Sequence, residues 1–168
     1  MAHELRGRVW MLPEDIESDQ ILPYSAFGQP DPEVLRAQCL QQVVPGFADR
    51  IEPGDILWAG EGFGHGSSRE DAPRALKSLG VRLVLAQGFS RIFYRNALNI
   101  GLPVAVGDPG PTRDRDEIEV NLVTGELVNV TRGKRQRIEP VPKEIRPLLS
   151  EGGLLAYVRK YGSLSTEE

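Results

Sequence analysis

Gly62-Phe63-Gly64-His65-Gly66-Ser67-Ser68-Arg69-Glu70-Asp71-Ala72-Pro73 is a glycine-rich turn that runs straight into a helix start. In front of it, Asp55-Ile56-Leu57-Trp58-Ala59-Gly60 follows Pro53-Gly54 as a short apolar run, the pattern of a strand buried on both faces of a parallel sheet. Behind it, Arg74-Ala75-Leu76-Lys77-Ser78-Leu79 continues the helix, and Gly80 stands where a glycine closes one. The unit is strand, glycine loop, helix, which makes the fold α/β. A loop so placed collects backbone N–H groups at the positive end of a helix dipole, and its glycines let an anion approach the main chain. Ser67 and Glu70 also have the S-x-x-E spacing of a capping box. Pro73 has no N–H to offer the carbonyl of Arg69, so regular helical bonding begins late, and the spacing leaves Ser67 and Ser68 as either caps or loop residues.

Downstream, residues 81–86 form a second strand, residues 89–100 a second helix ended by Gly101, and residues 102–106 a third strand. Three strands alternating with two helices predict a parallel βαβαβ core with right-handed crossovers. Phe89, Ile92, Phe93 and Ala97 fall on one helical face and read as a packing stripe. Upstream, residues 7–12 are β-prone, and residues 13–32 hold four prolines and Gly28, too irregular for a helix and long enough to carry function. Asp31 and Pro32 begin a helix as N-cap and first-turn proline, and residues 45–54 make a helical turn and a tight turn into the central strand. Past a Pro/Gly/Asp-rich turn region, residues 117–122, 126–130 and 136–139 are strands joined at Thr124-Gly125 and Arg132-Gly133, an antiparallel meander with one face buried. Residues 147–161 close the chain as an amphipathic helix around Leu148, Leu149, Leu154, Leu155 and Val158, divided at Gly152-Gly153.

At 168 residues the chain supports one sizeable core, so residues 1–168 read as a single domain. Hydrophobic residues at 40% and charged residues at 26% are ordinary globular usage. A net charge of −4 without a basic stripe of interleaved aromatics excludes nucleic acid as a partner; the basic run 132–137 lies in the meander and reads as a charged strand edge. One cysteine, Cys39, excludes an internal disulfide and cannot alone hold an iron–sulfur cluster; its apolar neighbours make it a buried structural thiol. His3 and His65 are far apart, and no CxxC or HExxH spacing occurs, so the chain is expected to hold no metal. No apolar stretch has membrane-spanning length, which predicts a soluble, cytoplasmic protein.

The glycine loop fits none of the common phosphate or nucleophile motifs. A Walker A loop needs a lysine after its glycines, a Rossmann turn wants glycine or alanine where Ser67 stands, and a serine-hydrolase elbow needs G-x-S-x-G. What remains is a carboxylate-binding loop of hydroxyls and N–H groups backed by Arg69, whose planar fork matches a carboxylate.

Gly64-His65-Gly66-Ser67-Ser68-Arg69-Glu70, followed by Ala86-Gln87-Gly88-Phe89-Ser90-Arg91-Ile92-Phe93 and Asn96 and preceded by Ser18-Asp19-Gln20-Ile21-Leu22-Pro23, resembles the swivel domain of the aconitase superfamily. The closer resemblance is to the separate small subunits of 3-isopropylmalate dehydratase and homoaconitase, in order from about Gly7 to Gly162. It implies a single swivelling β/β/α domain in which Ser67 is the base that removes the proton next to a carboxylate. Ser68 and Arg69, with His65 and Gly66 beside them, are implied to bind the substrate, and Tyr24, Ser25, Ala26 and Phe27 to form the substrate-recognition loop. It also implies that this chain carries no cofactor: a large-subunit partner supplies a 4Fe-4S cluster whose open iron acts as Lewis acid on the departing hydroxyl, and neither half is an enzyme alone. Residues His65 and Asp71 depart from the resembling family, where cysteine or a small residue and histidine are frequent.

In that family the recognition loop faces the variable substituent of a malate-like acid. Here no cation follows Tyr24 until Arg36, which suits an alkyl group: interconversion of 2- and 3-isopropylmalate, a step of leucine biosynthesis, is expected ahead of homoaconitate hydration. A methyl-substituted malate is the variant allowed by the small Ser25 and Ala26. A non-catalytic binding or regulatory swivel module is the competing class, and the intact Ser-Ser-Arg-Glu run argues against it. Arg91 reads as a structural or subunit-contact residue ahead of a substrate contact, and self-association of the isolated subunit is left open.

Overall fold

A computed structural model describes residues 3–26 and 28–162. The β-prone opening segment, read at 7–12, forms β1 (Glu4–Met11), and the apolar runs form β2 (Ile56–Ala59), β3 (Leu83–Ala86) and β4 (Val104–Val106); the four are parallel, and every residue of β2 and β3 is buried. The meander follows as β5 (Glu117–Asn121), β6 (Glu126–Asn129) and β7 (Lys134–Arg137), with the basic run as its exposed edge.

The two halves are one seven-stranded sheet in the order β4-β3-β2-β1-β5-β6-β7. The sequence pattern predicts a three-stranded parallel core with a meander beside it and does not show that the opening strand joins them. β1 does so by changing partner along its length. Glu4 to Arg8 pair antiparallel with β5, while Val9, Trp10 and Met11 pair parallel with β2. Gly7 lies at the changeover, where a Cβ would stand 2.2 Å from the carbonyl oxygen of Gly54. The absent side chain lets the two backbones meet.

Helices cover the parallel half. Helix α4 (Asp71–Ser78) ends in a Schellman turn: Gly80, at φ +82°, donates to the Lys77 carbonyl at 3.0 Å, and Val81 donates to Leu76 at 3.3 Å. Helix α5 (Arg91–Asn99) begins at Ser90, whose hydroxyl accepts the Phe93 N–H at 3.2 Å. Earlier, the segment read as helix-free contains a one-turn helix, α1 (Ser18–Ile21), and a 3-10 turn, Tyr24–Ala26. Reciprocal capping between Glu17 and Gln20 stabilises α1, a signal too short to show as periodicity. Helices α2 (Pro32–Gln38), with Asp31 accepting from Glu33 N–H, and α3 (Phe47–Arg50) complete this crossover. Cys39 is fully buried, and burial pushes its thiol far up, so it is no nucleophile.

Two packing expectations are corrected. Ile92, placed by spacing on the α5 stripe, is 45% exposed, because only Phe93 and Ala97 of that face reach the core, with Phe89 packed partly against it. The C-terminal helix divides at Gly152-Gly153 into α6 (Arg146–Ser150) and α7 (Leu154–Tyr161), but α7 buries none of its residues, and Leu155 is 71% exposed. This region docks by backbone approach: a Cβ on Gly153 would stand 2.5 Å from the Asn99 carbonyl oxygen, and one on Gly101 2.2 Å from the Gly152 carbonyl carbon. Among the described residues no helix is long and apolar enough to cross a membrane, and no three His, Cys, Asp or Glu side chains are grouped to hold a metal ion.

Candidate active site

The glycine loop leaves the end of β2 and is fastened residue by residue to its neighbours. Phe63 N–H donates to Gly88 O at 3.0 Å, Ser90 N–H returns to Phe63 O at 3.0 Å, and Gly64 N–H donates to Ile16 O at 2.8 Å. The fully buried Phe63 ring packs edge-on against Phe89 and Phe93, with centroids 5.9 and 5.0 Å away. Gly64 is required by both backbone and space: its φ is +80°, and a Cβ would lie 2.4 Å from Phe93 Cγ. The Ser90 hydroxyl, already accepting from Phe93, donates to Gly64 O at 2.8 Å, and Asn96 Nδ2 donates to Ser68 O at 2.8 Å.

The open choice between cap and loop is decided for the loop. Helix α4 starts at Asp71 with Glu70 as N-cap, and Ser67 Oγ accepts the Arg69 N–H at 3.3 Å in place of a capping-box bond. The dipole expectation changes accordingly. Glu70 and Asp71 occupy the helix start themselves, and Glu70 also pairs with Arg74 at 3.3 Å, so the positive end of α4 already has its negative charge. The groups the loop leaves to meet an anion are the Arg69 guanidinium, the two hydroxyls and the Ser68 N–H, which has no partner among the described residues.

Ser68, Arg69 and Gly66 are exposed, and Ser67 and His65 are half-buried. The segment read as the recognition loop, more than forty residues earlier, reaches this surface through Tyr24, and the preceding helix α1 does so through Ser18. The Arg69 guanidinium carbon lies 4.9 Å from the centroid of the Tyr24 ring, a cation–π contact. Ser18, at the start of α1, donates its N–H to His65 O at 2.7 Å and accepts the Ser67 N–H on its hydroxyl at 2.7 Å. Tyr24 is 67% exposed and Ser25 is also exposed. Ala26 is not brought to the site: its side chain is fully buried in the core, because the 3-10 turn directs it inward while Tyr24 and Ser25 face out. Phe27 lies outside the described residues.

Arg91 is exposed along a separate shallow cavity of about 330 Å³ lined by Phe89, Arg91, Tyr94, Arg95 and Val106, none of them a residue of the glycine loop. Burial first, and the nearby Glu139 carboxylate second, raise the Tyr94 phenol above its ordinary value. The residues that sequence reasoning left without a role are Ser18, Ser90 and Asn96. All lie in the quoted motif stretches, but hydrogen bonds across tens of residues leave no spacing signal.

The Aconitase C-terminal domain family matches residues 42–108, the stretch that includes the glycine loop and α5. Over nearly the whole chain there is similarity to the 3-isopropylmalate dehydratase small subunit 2 of Archaeoglobus fulgidus, 44% identical over 160 residues that cover 94% of this chain and 96% of that protein. The isopropylmalate/citramalate isomerase small subunit of Methanocaldococcus jannaschii is 40% identical over 162 residues, 95% of this chain and 96% of its own. A crystal structure of 3-isopropylmalate dehydratase from the same organism superposes with a TM-score of 0.90 at 34% identity, covering 95% of each chain.

Proposed function

The chain belongs to the family of 3-isopropylmalate dehydratase small subunits, and from that membership we propose that all 168 residues act as one swivel domain that completes the active site of a hydro-lyase with a large-subunit partner. The reaction is interconversion of 2- and 3-isopropylmalate by loss and re-addition of water, in leucine biosynthesis. Ser67 Oγ, as the alkoxide, takes the proton from the carbon next to a carboxylate, the C–O bond of the neighbouring carbon breaks, and its hydroxide takes up a proton from solvent to leave as water. Water re-adds in the reverse sense with the hydrogen and hydroxyl positions exchanged, Ser67 returning its proton to carbon. Arg69 grips a carboxylate in a two-pronged contact, with Ser68, the Gly66 backbone and His65 alongside.

One observation carries this reading: Ser67 Oγ already accepts a backbone N–H, that of Arg69. A serine hydroxyl is a poor base in water, and an N–H donor favours its ionised form. At 3.3 Å the bond is long, and such contacts tighten as charge develops. A 4Fe-4S cluster does not fit this chain, whose single cysteine is buried, so we assign it to the large subunit. A single buried cysteine, with no disulfide in the design of the fold, accords with a reducing cytoplasm as the site of action.

Methyl-substituted malate is the second reading, favoured by the similarity to a protein named for both isopropylmalate and citramalate and by the small, exposed Ser25. The test is reconstitution with a cluster-loaded large subunit of the same family. Isomerisation of 2-isopropylmalate that requires both chains is expected. Complex formation without turnover of either malate would support a binding module and overturn the enzymatic assignment.

A further inference from the structure

We infer that Ser18 is the positioning residue for Ser67, holding the base at its backbone nitrogen while the Arg69 N–H meets its hydroxyl. The inference rests on the reading of Ser67 as the base. Ser18 is 2% exposed, and while its carbonyl accepts the Leu22 N–H, its own N–H and its hydroxyl are both directed at the glycine loop. Its N–H donates to His65 O and its Oγ accepts from Ser67 N–H, each at 2.7 Å, so the two peptide units flanking Gly66 are gripped by a single residue.

The hydroxyl has no local duty that would explain its burial. The N-cap of α1 is Glu17, which is satisfied by Gln20, and Ser18 is the first helical residue. The loop backbone is shaped to meet it. Gly66 has φ +104°, a conformation L side chains rarely adopt, and a Cβ there would press to 3.3 Å from Ser18 Oγ. The bond also removes the Ser67 N–H from the set of donors open to substrate, which restricts Ser67 to one function, that of its own oxygen.

Held at its nitrogen by Ser18 and at its oxygen by the Arg69 N–H, Ser67 has little freedom to turn its hydroxyl toward solvent. A displacement of about 1 Å at a reacting group can cost on the order of 10²-fold in rate. Ser18 touches neither the transferred proton nor, through its engaged hydroxyl, the carboxylate that Arg69 binds, so its effect should appear in kcat and leave KM nearly unchanged.

The test uses Ser18→Ala, Ser18→Thr and Ser67→Ala in the full chain, with two readouts. In the chain alone, hydrogen exchange of the Ser67 amide is expected to be protected, and Ser18→Ala should accelerate it at least tenfold while the amides of Leu57 and Trp58 in β2 keep their protection. In the reconstituted complex, Ser18→Ala should lower kcat by about 10- to 100-fold with KM within about twofold, and Ser18→Thr, which keeps the hydroxyl, should recover most of the rate. Unchanged exchange at Ser67 in Ser18→Ala, or unchanged kcat, overturns the inference. So does a loss shared by the β2 amides, which would make Ser18 a stability residue only. If Ser67→Ala keeps its activity, the proposed base is wrong whatever Ser18 does, while an inactive Ser67→Ala beside a fully active Ser18→Ala refutes the positioning role alone.

Discussion

Ser67 and Arg69 exchange a bond within their own turn, so each substitution separates a different contribution to the reaction. Ser67→Ala removes the oxygen and leaves the Ser67 N–H on Ser18, and with it the loop path. In the reconstituted complex this should cost about 10²–10⁴-fold in kcat, the usual scale for a positioned acid–base group, with assembly unchanged by sedimentation. Arg69→Lys keeps charge but loses the planar fork and weakens the contact with Tyr24, so KM should rise and kcat fall together in steady-state assays; wild-type values for either variant would refute these roles. At this scale the serines and the arginine were legible as a run of types no common phosphate motif explains. Two things were not. The inward turn of Ala26 depends on a three-residue 3-10 helix that gives no periodicity, and the cation beside Tyr24 comes from position 69, where a search along the recognition loop does not look.

The elements show why spacing succeeds over long stretches and fails over short ones. β2, β3, α4 and α5 were legible because burial on both faces or a closing glycine writes itself into several consecutive residues. The S-x-x-E spacing misleads because the helix opens at Glu70, three residues beyond Ser67, with Pro73 in its first turn. Gly64 links the loop to α5 and provides a test at this scale. With φ +80° and Phe93 Cγ at 2.4 Å from an added Cβ, Gly64→Ala combines backbone strain with overpacking, and a loss of roughly 2 kcal/mol, or about 4–8 °C in Tm, is expected by thermal melting. The meander has its own pH signature. Asp116, 3% exposed, accepts from Arg113 N–H and Asn129 Nδ2 at 2.9 Å and Arg132 Nε at 2.5 Å. Burial works against its charge, yet these three donors outweigh it and hold the carboxyl below its usual value. A depressed folded-state pKa means stabilisation that is complete above the unfolded value, about 4, and is lost as pH falls through the folded one. Asp116→Asn should therefore be markedly less stable than wild type at pH 7 in denaturant melts, the gap shrinking below about pH 4. A gap constant with pH would show that the charge contributes nothing.

At the scale of the whole molecule, β1 was the hardest piece to read, because a strand that serves a parallel neighbour with one end and an antiparallel neighbour with the other has neither clean alternation nor a continuous apolar run. The same topology leaves the glycine loop and Tyr24 together on an open surface, where a carboxylate would remain solvated until a partner covers it. Under the proposed function, substrate choice is then decided by what the covered recognition loop can accommodate. In the proposed reaction Arg69 is committed to the carboxylate common to all the candidate acids, and Tyr24, Ser25, Gly28 and Gln29 supply no second cation for the extra carboxylate of a homoaconitate-type tricarboxylate. Burying an unpaired carboxylate is strongly disfavoured, whereas each buried methylene contributes about 0.8 kcal/mol, so the two additional carbons of isopropyl over methyl are worth at most about 1.6 kcal/mol, a factor on the order of ten to fifteen. In kcat/KM for the reconstituted enzyme, 2-isopropylmalate should therefore exceed the methyl-substituted malate by up to about ten- to fifteenfold, with the tricarboxylate well below both. The position to engineer is Ser25, which is exposed, since a cation at the buried Ala26 would enter the core. Ser25→Arg should raise the tricarboxylate-to-isopropylmalate ratio, and a wild-type enzyme that turns over the tricarboxylate as well as isopropylmalate would show that the second cation comes from the partner chain.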